Sequence, residues 1–241
     1  MVSVNPIEIM NRNNIFKSLF LGLFTALVII ACVPTGNNES GGQPTIKFGV
    51  GPYFPTPGET REQFNPLFEK IAAAVDAKAD VTVTEDWVGI SEALRSGTLD
   101  VAWLGPWGYV LANHNSPEIN AIATVKYNGD PVYYSVLLAR ANAAFDTLEE
   151  AIAQSETGEK LKLSLADVGS TSGWLVPTAE FEGRGINHKE IFDYNEGASH
   201  AAQAIAVISE QVDIASDYNR NLDVLASTGR IDRDQIKMIW Q

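Results

Sequence analysis

Asp167-Val168-Gly169-Ser170-Thr171-Ser172-Gly173-Trp174-Leu175-Val176-Pro177 follows the alternating run Leu161-Lys162-Leu163-Ser164-Leu165, and the junction between them decides the fold. Apolar and polar residues alternate in the run, as in a strand. Residues 174–181 can be helical, so three consecutive hydroxyl residues lie in a tight strand-to-helix turn between Gly169 and Gly173. Strand, small turn, helix is the unit from which α/β proteins with mostly parallel sheets are built. Such a turn aims free backbone N–H groups and a positive helix end at one spot, which suits an oxyanion. A plain helix cap uses the same residues, because Ser and Thr accept hydrogen bonds from first-turn amides. Local sequence leaves both readings open.

Working outward, residues 45–50, 81–84 and 101–104 read as strands by alternation and β-branching. Residues 51–58 carry so many prolines and glycines that they read as a loop. Phe64, Leu67, Phe68, Ile71, Ala72 and Val75 form a helical stripe within 61–76. A short helix over 90–96 stops at Gly97, and another spans 107–113. Two further strands, 119–126 and 132–139, flank a turn at 127–131. Beyond them come a helix at 148–156, the quoted strand and turn, a strand near 191–194, a helix at 199–209, a strand at 212–215, a helix at 222–227 and a closing strand at 236–240. This order predicts two α/β lobes, 45–131 and 132–241, joined near residues 126–135, with a cleft between them as the default ligand site. One phrase recurs. Leu99-Asp100-Val101-Ala102 and Val212-Asp213-Ile214-Ala215 each follow a helix and deliver an aspartate to a buried strand start, a hint of pseudo-symmetric lobes.

The chain has 241 residues, 45% hydrophobic and 20% charged, which is enough for a substantial core. Its formal net charge of −13 argues against nucleic acid as a partner, since phosphate backbones demand clustered Lys and Arg. Surface charge is screened over about 10 Å, so an acidic chain can still hold an anion on local N–H dipoles. Cys32 is the single cysteine, which rules out an intramolecular disulfide and a cysteine-based metal site. Arg12 and Lys17 precede an apolar run over 19–31 that is shorter than the ~20 residues of a spanning helix, the pattern of an export signal. Ile29-Ile30-Ala31-Cys32 resembles a lipobox, the bacterial signal after which the chain is cut and Cys32 lipidated. The alternative is an uncleaved anchor. Either one places the globular part outside the cytoplasmic membrane, on a Gly-, Asn- and Pro-rich tether over 32–44.

With the quoted turn, Val101-Ala102-Trp103-Leu104-Gly105-Pro106 and the export signal together, the chain resembles the phosphonate/phosphite-binding proteins of bacterial ABC importers over residues 45–240. That resemblance implies a type II periplasmic-binding-protein fold with a hinge. It also implies an anionic ligand held by Ser170, Thr171 and Ser172, and by His200 in a Gly-x-x-His context. Two aromatic residues would join them: Trp87, where aminophosphonate binders carry tyrosine, and Tyr133 or Tyr134 in the hinge strand. Those binders also hold the ligand's ammonium with an acidic residue. Arg220 stands in its place here, with Asp217 close enough to substitute. A second acid, a returning strand and a terminal helix follow the last strand in the family, whereas this sequence ends at Gln241. The resemblance therefore favours phosphite or a small alkylphosphonate over an aminophosphonate. The implied partners are a membrane permease and a lipid anchor. A monomer without a cofactor is expected, closing about its hinge on the ligand.

Other chemistries fit less well. Ser170, His200 and Asp217 are the residue types of a hydrolytic triad. Yet Thr171 occupies the centre of what would be the nucleophile elbow, and the chain order differs from that of α/β-hydrolases. His114, His188 and His200 are dispersed without metal-ligand spacing. A receptor for another oxyanion, or a sensor module of the same fold, is the remaining alternative. Among other aromatics, Trp103 and Tyr109 are expected to pack in the core and Trp107 to face the cleft.

Overall fold

In a computed structural model, the described residues are 42–114, 116–127 and 129–241. The export segment, Cys32 and most of the tether lie outside them. Residues Gly42–Gln241 fall into one unit that contains two sheets. The first has the order β2-β1-β3, from β1 (Thr45–Val50), β2 (Lys78–Val83) and β3 (Val101–Trp103), and is parallel throughout. Helix α1 (Pro57–Ala73) covers one face, seating Phe68 and Ala72 against Phe48 and Val50. The Phe48 and Phe68 rings stack 4.7 Å apart. Ile90 of α2 (Trp87–Arg95) and Leu99 cluster with Trp87, and α3 (Pro106–Asn113) leads out of β3.

The second sheet has five strands in the order β6-β5-β7-β4-β8. They are β4 (Ser135–Arg140), β5 (Lys162–Ala166), β6 (Asp193–Ala198), β7 (Ile214–Tyr218) and β8 (Ile236–Trp240). β5 runs parallel to β6 and β7, while β4 is antiparallel to β7 and β8. Alternate residues of β4 serve opposite faces, as strand geometry requires. Leu137 and Ala139 join Leu148 of α4 (Leu148–Thr157) and Phe181 of α5 (Val176–Gly183), near α6 (His188–Ile191). Val136 and Leu138 join Ala204 of α7 (His200–Ile208) and Leu222 of α8 (Asn219–Ser227).

Several boundaries depart from the sequence reading for identifiable reasons. α1 starts at Pro57 instead of 61, because Thr56 and Glu59 form a capping box and proline suits the first helical turn. The expected strand over 119–126 does not form. Its alternation is real, but no strand lies beside it among the described residues, and Ile122 is exposed. β7 starts two residues later than expected and runs through Ser216, Asp217 and Tyr218, because β4 pairs with it that far. The strand expected near 191–194 instead begins at Asp193, after α6.

The recurring phrase turns out to be one joint used twice. Asp100 Oδ2 accepts the Lys47 N–H at 2.8 Å, and the Asp100 N–H donates to the Lys47 carbonyl at 2.9 Å. Asp213 repeats both bonds with Lys162, at 2.9 and 3.0 Å. Each aspartate ties the strand it precedes to its parallel neighbour. They sit at exposed or half-exposed rims, not in the buried position expected.

Candidate functional site

The hydroxyl turn leaves β5 as a π-type turn over Thr171–Leu175, closed by the Leu175 N–H donating to the Ser170 carbonyl at 3.0 Å. Single π-turns recur at functional sites because they re-aim backbone groups. Ser170 caps the turn, its Oγ accepting the Gly173 N–H at 3.1 Å. Two buried serines hold the turn's carbonyls: Ser135 donates to the Ser172 carbonyl and Ser216 to the Gly173 carbonyl, each at 2.6 Å. Both flanking glycines are sterically required. A Cβ on Gly169 would lie 2.6 Å from the Val88 nitrogen, and one on Gly173 would lie 2.4 Å from the Ala166 Cβ and 3.2 Å from the His200 ring.

Four helix N-termini converge on this turn. The Trp87 N–H, opening α2, donates to Asp167 Oδ1 at 3.1 Å, and the Gly169 N–H donates to the same oxygen at 3.0 Å. The Trp107 N–H in the first turn of α3 donates to Thr171 Oγ1 at 2.8 Å, while its indole donates to the Val168 carbonyl at 3.0 Å. His200 is the first residue of α7, and the turn itself leads into α5. Converging N–H dipoles favour negative charge at this turn although the chain as a whole is acidic. Burial pushes the Asp167 carboxyl up, with the Gly169 and Trp87 amides acting against that.

These elements border a cleft of about 870 Å³. Ser170, Thr171, Ser172, His200, Tyr133 and Trp87 all line it. Trp87 is buried, and its Nε1–H has no partner among the described residues. Tyr134 points outward, 47% exposed. Asp217 has no exposed surface and does not line the cleft. It stands behind His200, with Oδ1 at 3.0 Å from Nδ1. Arg220 is also absent from the lining.

Several aromatic residues sit otherwise than the sequence suggests, among them Tyr109, which was expected to pack and lines the cleft. Tyr218 lines the cleft and meets His200 edge-on at 5.0 Å between centroids and Tyr133 at 5.9 Å. Its place in β7 became visible only with the antiparallel partner. Tyr53, on the first loop, lines the cleft and accepts the Trp103 Nε1–H at 2.6 Å. Trp103 therefore borders the cleft as well as the core, whereas Trp107 is spent on the turn's backbone. Burial raises the phenol pKa of Tyr53, Tyr133 and Tyr218, so these hydroxyls keep their protons and remain donors.

Residues 48–241 match the family model described as "ABC transporter, phosphonate, periplasmic substrate-binding protein". The chain belongs to that family. It is a family of substrate-binding components and not of enzymes. A family relative, the phosphonates-binding periplasmic protein of Escherichia coli, is 26% identical over 181 residues, covering 75% of this chain and 53% of its own. This chain thus spans about half the length of that relative. The phosphate-import protein PhnD of Mycolicibacterium smegmatis is 25% identical over 230 residues, 90% of this chain and 70% of its own. In structure, a binding-protein component of an ABC phosphonate transporter from Pseudomonas aeruginosa superposes with a TM-score of 0.74 at 26% identity, over 83% of this chain and 65% of that one. PhnD1 of Prochlorococcus marinus in complex with methylphosphonate shares the fold, with a TM-score of 0.67 at 19% identity over 81% and 71% of the two chains. The α/β architecture is accordingly the type II periplasmic-binding-protein fold.

Proposed function

We propose that this protein captures phosphite or a small phosphonate for an ABC importer outside the cytoplasmic membrane, anchored by lipid on Cys32. The observation that carries the ligand class is the unpartnered, buried Trp87 indole N–H beside the Ser170–Thr171 turn. A buried donor without a partner costs free energy that a ligand oxygen would recover. Around it stand the Ser170, Thr171 and Ser172 hydroxyls and the Tyr133 and Tyr218 phenols, a donor-rich set matched to a tetrahedral, mostly charged oxyanion, with His200 beside them. The family favours the same class.

A small, uncharged substituent on phosphorus is favoured by what the β7–α8 junction offers. Asp217 is buried behind His200, and Arg220 occupies the place of the ammonium-holding acid. The receptor would act as a monomer, close about its hinge on the ligand and dock on a permease. The two lobes, 45–131 and 132–241, would be the moving bodies.

Calorimetric titration of the protein lacking its first 32 residues with phosphite, methylphosphonate, 2-aminoethylphosphonate, phosphate and sulfate tests the reading. Binding of phosphite or methylphosphonate is expected, and silence with all five anions would remove it. Preference for phosphate would move the ligand to that of the mycobacterial relative's name, and preference for 2-aminoethylphosphonate would overturn the reading of Arg220. Ser170→Ala and His200→Ala should each weaken binding by about 1–3 kcal/mol.

A further inference from the structure

Behind the ligand-facing residues lies a buried polar chain that the donor set does not by itself require. Asp217 is fully buried on β7. Its Oδ1 accepts the Tyr218 N–H at 2.8 Å and its Oδ2 accepts the Asn221 Nδ2–H at 2.9 Å. Two donors on its two oxygens fix the carboxylate's orientation, and Oδ1 lies 3.0 Å from His200 Nδ1. That contact is close but not aligned as a hydrogen bond, so Nδ1 is buried without a formal partner. On the other side of the ring, Nε2 lies 3.4 Å from Ser170 Oγ. Ser170 Oγ already accepts from Gly173, leaving its hydroxyl proton free to donate. Long, poorly aligned contacts of this kind tighten when a ligand arrives.

Taking these contacts together, and resting on the function proposed above, we infer that Asp217 is a positioning residue that keeps the His200 proton on Nδ1 and presents Nε2 to the cleft as a proton acceptor. A neutral imidazole carries one donor and one acceptor nitrogen, and the partner of one decides the role of the other. A carboxylate can only accept, so it claims Nδ1–H. The acceptor Nε2 then pairs with the Ser170 hydroxyl when the cleft is empty. With ligand bound, it pairs with a hydroxyl on the ligand's central atom, while Ser170 turns its proton to a charged oxygen. No atom changes hands beyond these hydrogen bonds. The class selected is a tetrahedral oxyanion that retains one hydroxyl, such as a hydrogen phosphonate, over one that has none, such as a sulfonate. An acceptor facing a bare anionic oxygen is repulsive, and specificity is built from such repulsion as much as from attraction. The groups facing the ring are Asp217 and Tyr218 from β7, Trp87 from α2, and Ser170 and Gly173 from the turn after β5.

Nitrogen-15 NMR of histidine-labelled protein reads the tautomer directly. The sequence contains three histidines, His114, His188 and His200, so a His200→Gln variant assigns the signal. A ring with its proton on Nδ1 and a free lone pair on Nε2 is expected. A Nε2-protonated ring, or a doubly protonated one, overturns the inference whether or not any ligand binds. The second arm compares methylphosphonate with methanesulfonate, which matches it in shape but has no hydroxyl to donate. Methylphosphonate should bind about 10-fold tighter, the worth of one charge-assisted hydrogen bond. Asp217→Asn should shrink that ratio to about 3-fold or less, because an amide can also turn its NH2 toward Nδ1 and so favour the other tautomer. Equal binding of both anions by the native protein sinks the selectivity while leaving oxyanion capture intact. Silence with both sinks the capture reading and leaves the tautomer to the NMR arm. Should Asp217→Asn fail to fold, the native tautomer and the native anion ratio still decide.

Discussion

The two sheets are built from the same local code and end in different situations. Each opens on the same aspartate joint, Asp100 with Lys47 in the first and Asp213 with Lys162 in the second. In the second sheet β5, β7 and β4 each have a partner on both sides, and helices seal both faces. Among the described residues, only β1 of the first sheet has two partners, β3 is half-buried, and Leu67, Ile71 and Val75 of the α1 region are exposed. Local signals make a strand or helix; the number of neighbours sets how firmly it is held. The second sheet is therefore the more fully buried platform, which carries Ser170 and His200, and the first contributes the helix ends of Trp87 and Trp107.

The sharpest way to break this comparison is to cut each core. Leu163→Ala, at a fully buried position of the second sheet, should cost about 3 kcal/mol in urea unfolding, against about 1 kcal/mol for half-buried Val101→Ala. Equal costs would erase the proposed difference. Next in size is the seam between the sheets. Gly169→Ala drives a methyl group into the start of α2 and should destabilise by about 2 kcal/mol, with the Trp87 fluorescence environment changing in step. A native-like melt and spectrum would mean that the seam is loose.

A finer test separates the twin joints. Asp213→Ala should cost about 1 kcal/mol and Asp100→Ala about half as much, since Asp100 is the more exposed. Urea midpoints compare them, and a reversed order would show that the first sheet depends on its joint more than the second does. The smallest effect concerns Asp167, which bridges the seam. Its pKa is raised in the folded state, so its contribution to stability is full below the unfolded value of about 4 and is lost as pH rises through the folded value. Asp167→Asn keeps an oxygen for the Trp87 and Gly169 amides. It should flatten the fall in stability as pH rises through the acid range, leaving the melt at about pH 3 unchanged. A native-like slope in the variant would assign the pH dependence to other groups.

Much of this was readable from the chain. Strong periodicity located nearly every helix and strand, and the hydroxyl turn was legible because glycines and hydroxyls at a strand-to-helix junction carry a direct physical meaning, whereas His200 and Trp87 came only with the family resemblance. The misread strands share one cause. Residues 119–126 alternate as a strand should, but a strand exists only with a partner to pair with. Conversely, Ser216-Asp217-Tyr218 looks like the start of a loop until β4 supplies its ladder. Pairing is non-local, and alternation along the chain says nothing of who lies alongside.

By itself, then, the sequence determined the α/β class, the position of the oxyanion-suited turn and the residue types that surround it, because caps, breakers and side-chain period act within a few residues. Only the tertiary structure decided which of those residues meet. It placed Asp217 behind the His200 ring instead of in the cleft, turned Tyr133 inward and Tyr134 outward, brought Tyr218 and Tyr53 into the lining, and left the Trp87 N–H buried without a partner. Distances between residues far apart in the chain depend on strand order and register, which follow from the packing of the whole chain.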